Sequence, residues 1–200
     1  MATTNLKKSL SKQEKFNLSK ADDKLRIVNT VLSWQTPSGV FPKYDLDVSA
    51  FLLGADGKLI DDDGFVYYNS PKFQLNGITV NGTPDKSVWK TPDEREGGEE
   101  VLSIDFTKLS PSVTEISLVV TLHKAKIRKQ TMAAIKGSML KLVNFETGEE
   151  IAESVLADVA GQNTAVQVGS FYREGDEFTF QFIGAGSPVG LEEFIDAYTN

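Results

Sequence analysis

The chain is 200 residues long, 40% apolar, free of cysteine, and carries a net charge of −7. That is enough for one larger domain, or one domain with appendages, around a real core, and it excludes disulfides, thiolate metal sites and cysteine nucleophiles. No run approaches the ~20 apolar residues of a membrane span, and the polar, lysine-containing start lacks the apolar stretch of a signal peptide, so a cytoplasmic location is expected.

Charge is segregated along the chain. Residues 1–26 carry seven lysines and arginines against three acids, residues 45–105 carry thirteen acids against five bases, and residues 116–145 carry six bases and no acid. A general nucleic-acid binder is normally basic overall, so nucleic acid is not an expected partner.

Residues 1–15 read as a polar N-terminal arm or a first strand, ahead of a single domain over 16–200. Leu10-Ser11-Lys12 is echoed by Leu18-Ser19-Lys20, which suits strand-turn-strand with Phe16-Asn17-Leu18 in the second strand. Lys24–Trp34 is β-branched and alternating, a strand, and Thr36–Gly39 is a turn. Tyr44–Leu53 begins as a polar-apolar alternation and ends in four apolar residues. As a strand it sets Asp45, Asp47 and Ser49 on one face and Leu46, Val48 and Ala50 on the other, toward a core. The two carboxylates lie about 7 Å apart, a charged shelf that the fold must neutralise or use.

Asp56-Gly57 marks a hairpin turn, and Phe65–Tyr68 is a compact aromatic strand. Residues 69–100 read as irregular and end in an acidic cluster, Asp93–Glu100; a connection of that length is usually functional or disordered. Val101–Phe106, Glu115–Leu122, Ser138–Asn144, Ile151–Leu156, Thr164–Tyr172 and Glu177–Gly184 are strands, with Glu115–Leu122 central. Ile127–Ala134 is a short helix or a loop, and Leu191–Tyr198 a terminal amphipathic helix. Nine or ten short strands without alternating long helices give an all-β chain, a two-sheet antiparallel β-sandwich with a few short helices.

The candidate chemistry is carboxylate chemistry. His123, the single histidine, lacks the partners of an ordinary zinc site and no G-x-S-x-G elbow accompanies it, so its expected role is structural or at the surface. Asp45, Asp47, Asp61–Asp63 and the acids at 94, 96, 99 and 100, with Asn69 and Asn81, supply hard oxygen ligands, which suits calcium better than magnesium. An EF-hand is excluded: counted from Asp45, the sixth place is Ala50 where glycine is required, and apolar strand stands where a loop is needed. Paired acids also serve glycoside hydrolysis, but Trp34 and Trp89 are the only tryptophans to line a sugar cleft. The basic run Lys124–Gln130 has no interleaved aromatic residues and reads as a solvated face.

The order of several segments resembles the TerD-type tellurium-resistance and stress-response family: Asn17-Leu18-Ser19-Lys20, Leu32-Ser33-Trp34, Tyr44–Leu53, Phe65–Ser70, Gly97–Val101, Val120–Ala125, Leu142–Ile151, Phe171-Tyr172-Arg173 and Gly184–Gly190. The resemblance covers roughly residues 9–198. It implies a TerD-like β-sandwich without an established enzymatic reaction, a binding or scaffold module that takes calcium through acidic loops. Asp45, Asp47, Asn69, Glu96, Glu99 and Glu100 then form the implied metal-ligand set, and other proteins in a homo- or hetero-oligomeric assembly are implied partners. The chain also departs from the family pattern, with Gln35 and Lys124 where acids are usual and fewer acids in Arg95–Glu100. Each lost carboxylate lowers cation affinity, leaving one ion, a weakly held ion, or a scaffold without ions. A structural subunit of a larger assembly such as a viral particle is the alternative, with the virion as its location.

Overall fold

A strand with one packed face buries every second side chain, and the chain repeats that pattern until two sheets close over each other. The computed structural model describes residues 8–36, 38–39, 43–92 and 98–200. Among them, fourteen strands form: β1 (Lys8–Ser9), β2 (Lys15–Asn17), β3 (Ile27–Gln35), β4 (Leu46–Leu53), β5 (Phe65–Val66), β6 (Lys72–Leu75), β7 (Ile78–Gly82), β8 (Val88–Lys90), β9 (Glu99–Asp105), β10 (Glu115–Leu122), β11 (Lys136–Asn144), β12 (Glu150–Val155), β13 (Ala165–Glu174) and β14 (Glu177–Ser187). Four helices accompany them: α1 (Leu18–Ala21), α2 (Ala125–Arg128), α3 (Ala157–Ala160) and α4 (Leu191–Thr199).

One sheet runs β1-β12-β11-β3-β9-β8-β7-β6 and the other β2-β14-β13-β10-β4-β5. All pairings are antiparallel except β1 with β12. The expected antiparallel sandwich is the observed one, and Glu115–Leu122 is central in its sheet. The inner faces share one apolar core in which Val28, Leu32, Val48, Leu102, Leu118 and Phe171 are fully buried or nearly so.

All eight residues of β4 are buried. Leu46, Val48, Ala50 and Leu52 enter the core between the sheets, as the alternation predicts. Phe51 and Leu53 face outward and are covered instead by α4, through Leu191, Phe194, Ile195 and Tyr198. Phe51 stacks on Phe65 at 4.5 Å and meets the Tyr198 ring at 4.9 Å. The Tyr198 hydroxyl shares a 2.9 Å hydrogen bond with Ser117, so the polar tip of the covering ring is satisfied.

The described part of 69–100 corrects the expectation of an irregular connection. Residues 69–92 hold β6, β7 and β8 and extend the larger sheet by three strands. The β6–β7 turn is Asn76-Gly77, both at positive φ (50° and 83°), the backbone that a two-residue hairpin favours. Three-to-five-residue strands separated by glycine, asparagine and proline hide their period, which is why the segment looks structureless in sequence. Of residues 1–15, expected as a polar arm or a first strand, Lys8–Ser9 and Lys15 pair into the two sheets, and residues 1–7 lie outside the described residues. Ile127–Ala134 resolves into the end of α2 and one 3₁₀ turn at Met132–Ala134. Among the described residues, no helix is long and apolar enough to cross a membrane.

Candidate functional site

β5 pairs with β4 only at Ala50 and Phe51, so among the described residues no strand lies beside the β4 edge from Asp47 to Val48 on that side. A backbone N–H left there inside the protein needs another acceptor. Glu100 of β9 supplies it: its Oε2 accepts from the Val48 N–H at 2.9 Å. Period-2 alternation makes this a task for Glu100 and not Glu99, since Glu100 is fully buried while Glu99 is exposed on the opposite face.

A carboxylate placed there needs a counter-charge, and Lys90 of β8 provides one. Its Nζ lies 3.2 Å from both Glu100 oxygens and 3.7 Å from Asp47 Oδ1. Lys90 and Glu100 have no exposed side-chain surface, and the side chain of Asp47 retains 8%. The second Asp47 oxygen, Oδ2, stands 3.8 Å from His123 Nδ1, too far for a hydrogen bond. His123 donates its backbone N–H to the Asp45 carbonyl at 2.8 Å, and its ring meets Tyr68 edge-on at 6.5 Å. Asp47 therefore has one oxygen toward the buried lysine and the other toward an open groove of about 470 Å³ lined by Tyr68, His123, Lys126, Val189 and Leu191.

Burial pushes the Glu100 carboxyl up to about 7, with Asp47 adding to the rise and with Lys90 and the Val48 N–H opposing it. A carboxyl whose folded pKa lies above its ordinary value of 4.5 holds more protons folded than unfolded in between. Its contribution to stability is complete below that ordinary value and is lost as pH rises through about 7. Among the described residues, Lys90 and Asp47 are the charged groups facing it, with the His123 ring beyond Asp47. We therefore expect the wild type to lose on the order of 3 kcal/mol relative to Glu100→Gln between about pH 4.5 and pH 8. Urea unfolding of both proteins across that range measures it, and parallel pH curves would refute it.

Of the residues expected to hold calcium, the fold brings together Asp47 and Glu100, with Asp45 buried two residues from Asp47 on the same face. Glu99 points away, and adjacent residues of one strand cannot both face one ion. Asn69 is exposed in the turn after Tyr68. Glu96 and most of the acidic cluster at 93–100 lie outside the described residues. Calcium requires 6–8 oxygens at 2.3–2.6 Å, and among the described residues no three acids or histidines converge to hold a metal. Where Asp47 and Glu100 do converge, the Lys90 ammonium is equidistant from the two Glu100 oxygens, on the plane where a bidentate cation also sits. The donor set at this point does not fit a divalent ion while Lys90 is there. The lysine escaped sequence reading because its strand was not recognised. The available signal was Val88-Trp89-Lys90, which puts Lys90 on the same face as the buried Val88.

A family model described as TerD domain matches residues 6–198. The chain is 34% identical over 190 residues to "Tellurium resistance protein TerD" of Serratia marcescens, covering 95% of this chain and 96% of that one. It is 32% identical over 191 residues to "General stress protein 16U" of Bacillus subtilis (strain 168), covering 95% and 96%. Among solved structures, a homologue of telluride resistance protein from Streptomyces coelicolor A3(2) superposes with a TM-score of 0.67 at 20% identity, over 86% of this chain and 95% of that one. That last likeness supports the fold.

Proposed function

Because the chain belongs to the TerD domain family, we propose that it is a non-enzymatic binding or scaffold module serving tellurite resistance or a general stress response. The observation that carries this reading is the end-to-end alignment with a protein named for tellurium resistance. The geometry supports the non-enzymatic part. Lys90 and Glu100, the most strongly constrained charges, have no exposed surface and are bound to each other, so neither reaches a substrate. His123, half-buried, is the other titratable group beside Asp47, and their 3.8 Å separation exceeds the reach of a base–orienter hydrogen bond.

The groove beside His123 is the surface through which such a module would meet another protein. It joins exposed apolar side chains, Ile127 at 80% and Val189 at 49%, to the basic Lys124 and Lys126, a mixture that suits an acidic partner segment with one or two apolar anchors. Expression in a tellurite-sensitive bacterial host tests the reading. The wild type is expected to raise colony survival, and Lys126→Glu with Ile127→Ser, both solvent-facing changes, to remove the gain without altering the melting temperature. Equal survival with and without the wild-type chain at matched expression would refute the proposal.

A further inference from the structure

We propose that the Lys90 ammonium is a tethered cation holding the place a divalent ion would take between Asp47 and Glu100, so that this junction of the two sheets closes without calcium. The proposal goes beyond the module's role and stands on four features of one point in the fold. The ammonium faces both oxygens of Glu100 at the same 3.2 Å. It reaches a second acid, Asp47, at 3.7 Å. The lysine side chain has no exposed surface, so its charge belongs to these partners and not to solvent. The Glu100 carboxylate it neutralises also accepts from the Val48 N–H, tying β9 of one sheet to the β4 edge of the other.

A lysine and a metal ion answer the same electrostatic requirement differently. Two acids at a sheet edge, one of them fully buried, repel each other and need a cation. An external ion supplies charge only when it is present, so stability follows its concentration. A lysine supplies it at all times, and its single charge and tetrahedral donors do not demand the 6–8 oxygens that calcium takes. Asp47 and Glu100 together offer at most four oxygens, which suffices for an ammonium. Shortening residue 90 removes both the charge and the occupying atoms, and leaves an acidic pocket that a small divalent ion and its waters fill.

Thermal unfolding and calorimetric titration with calcium chloride test this on wild type, Lys90→Ala, Lys90→Met and Asp47→Asn, each in EDTA and at about 5 mM calcium. The wild type is expected to show no bound ion that Asp47→Asn removes. Lys90→Ala is expected to melt lower in EDTA and to regain about 3 °C or more in calcium. Lys90→Met, whose side chain refills the space without the charge, melts lower and gains less than Lys90→Ala. Stoichiometric calcium binding to the wild type that Asp47→Asn abolishes would overturn the proposal, and so would a folded Lys90→Ala with no calcium response. If Lys90→Ala does not fold in either buffer, the titrations of wild type and Asp47→Asn decide: an Asp47-dependent ion overturns it and none supports it.

Discussion

Lys90→Met is expected to destabilise the protein by about 3–5 kcal/mol at neutral pH, the usual cost of removing one partner of a buried ion pair. Methionine keeps most of the lysine's length, so the loss comes from charge and not from a cavity. Glu100 and Asp47 are left facing each other with no buried cation between them. Glu100 responds by holding its proton: burial already pushes it to about 7 with Lys90 present, and removing that downward pull raises it further. A folded pKa raised above the unfolded one means stability lost as pH rises, so the penalty is larger at pH 8 than at pH 6. Adding Glu100→Gln to Lys90→Met removes the buried acid while keeping an oxygen for the Val48 N–H. The pair is therefore expected to recover to within about 2 kcal/mol of wild type, because replacing both members of a buried pair costs far less than breaking it. Urea unfolding of the four proteins closes the cycle. A double variant as unstable as Lys90→Met would show that the lysine contributes packing and not charge.

The fold was legible in the sequence wherever a strand was long enough to show its period. Glu115–Leu122 and Tyr44–Leu53 run for eight or more residues; the first is the observed β10, and the second forms β4 over Leu46–Leu53. β6, β7 and β8 have four, five and three residues, too short for the alternation to stand out from the turn residues around them, although Asn76-Gly77 between apolar runs was a usable hairpin signal. The site was half legible for the same reason. Asp47 stands in a strand whose pattern is readable, Glu100 directly before the strand expected from Val101, and the two meet at one cation. Their partner is a lysine from an unrecognised strand, and no local rule places a lysine in a core; burial of lysine is decided by what meets it across the fold. The second burial of β4, under α4, was also invisible locally. Phe51 and Leu53 announce an apolar outer face, but the helix that covers it begins 138 residues after Leu53.

Gly82→Ala is the second change expected to have a large effect, about 3 kcal/mol or more, and it reaches the same lysine from a distance. Gly82 ends β7 opposite Trp89 of β8. A methyl group there would sit 2.2 Å from the Val88 carbonyl oxygen and 2.8 Å from Trp89 Cα and Cβ. Two of these three atoms are backbone, so no rotamer change relieves the contact and β8 itself must move away. That oxygen also accepts from the Thr83 N–H at 2.9 Å, which anchors the turn between the strands. Lys90 follows Trp89 directly, so a displaced β8 withdraws its ammonium from Glu100. The two substitutions thus remove one interaction in common, and Gly82→Ala with Lys90→Met is expected to cost less than the sum of the single changes. Gly77→Ala separates this from the ordinary cost of replacing a glycine. At Gly77 φ is +83° but nothing lies within 4 Å of an added methyl, so backbone strain of about 1–2 kcal/mol is the whole effect, additive with Lys90→Met. Urea unfolding of wild type, the three single variants and the two double variants measures all of it, and a Gly82→Ala loss no larger than that of Gly77→Ala would refute the close-packing account of how β8 carries Lys90 to its place.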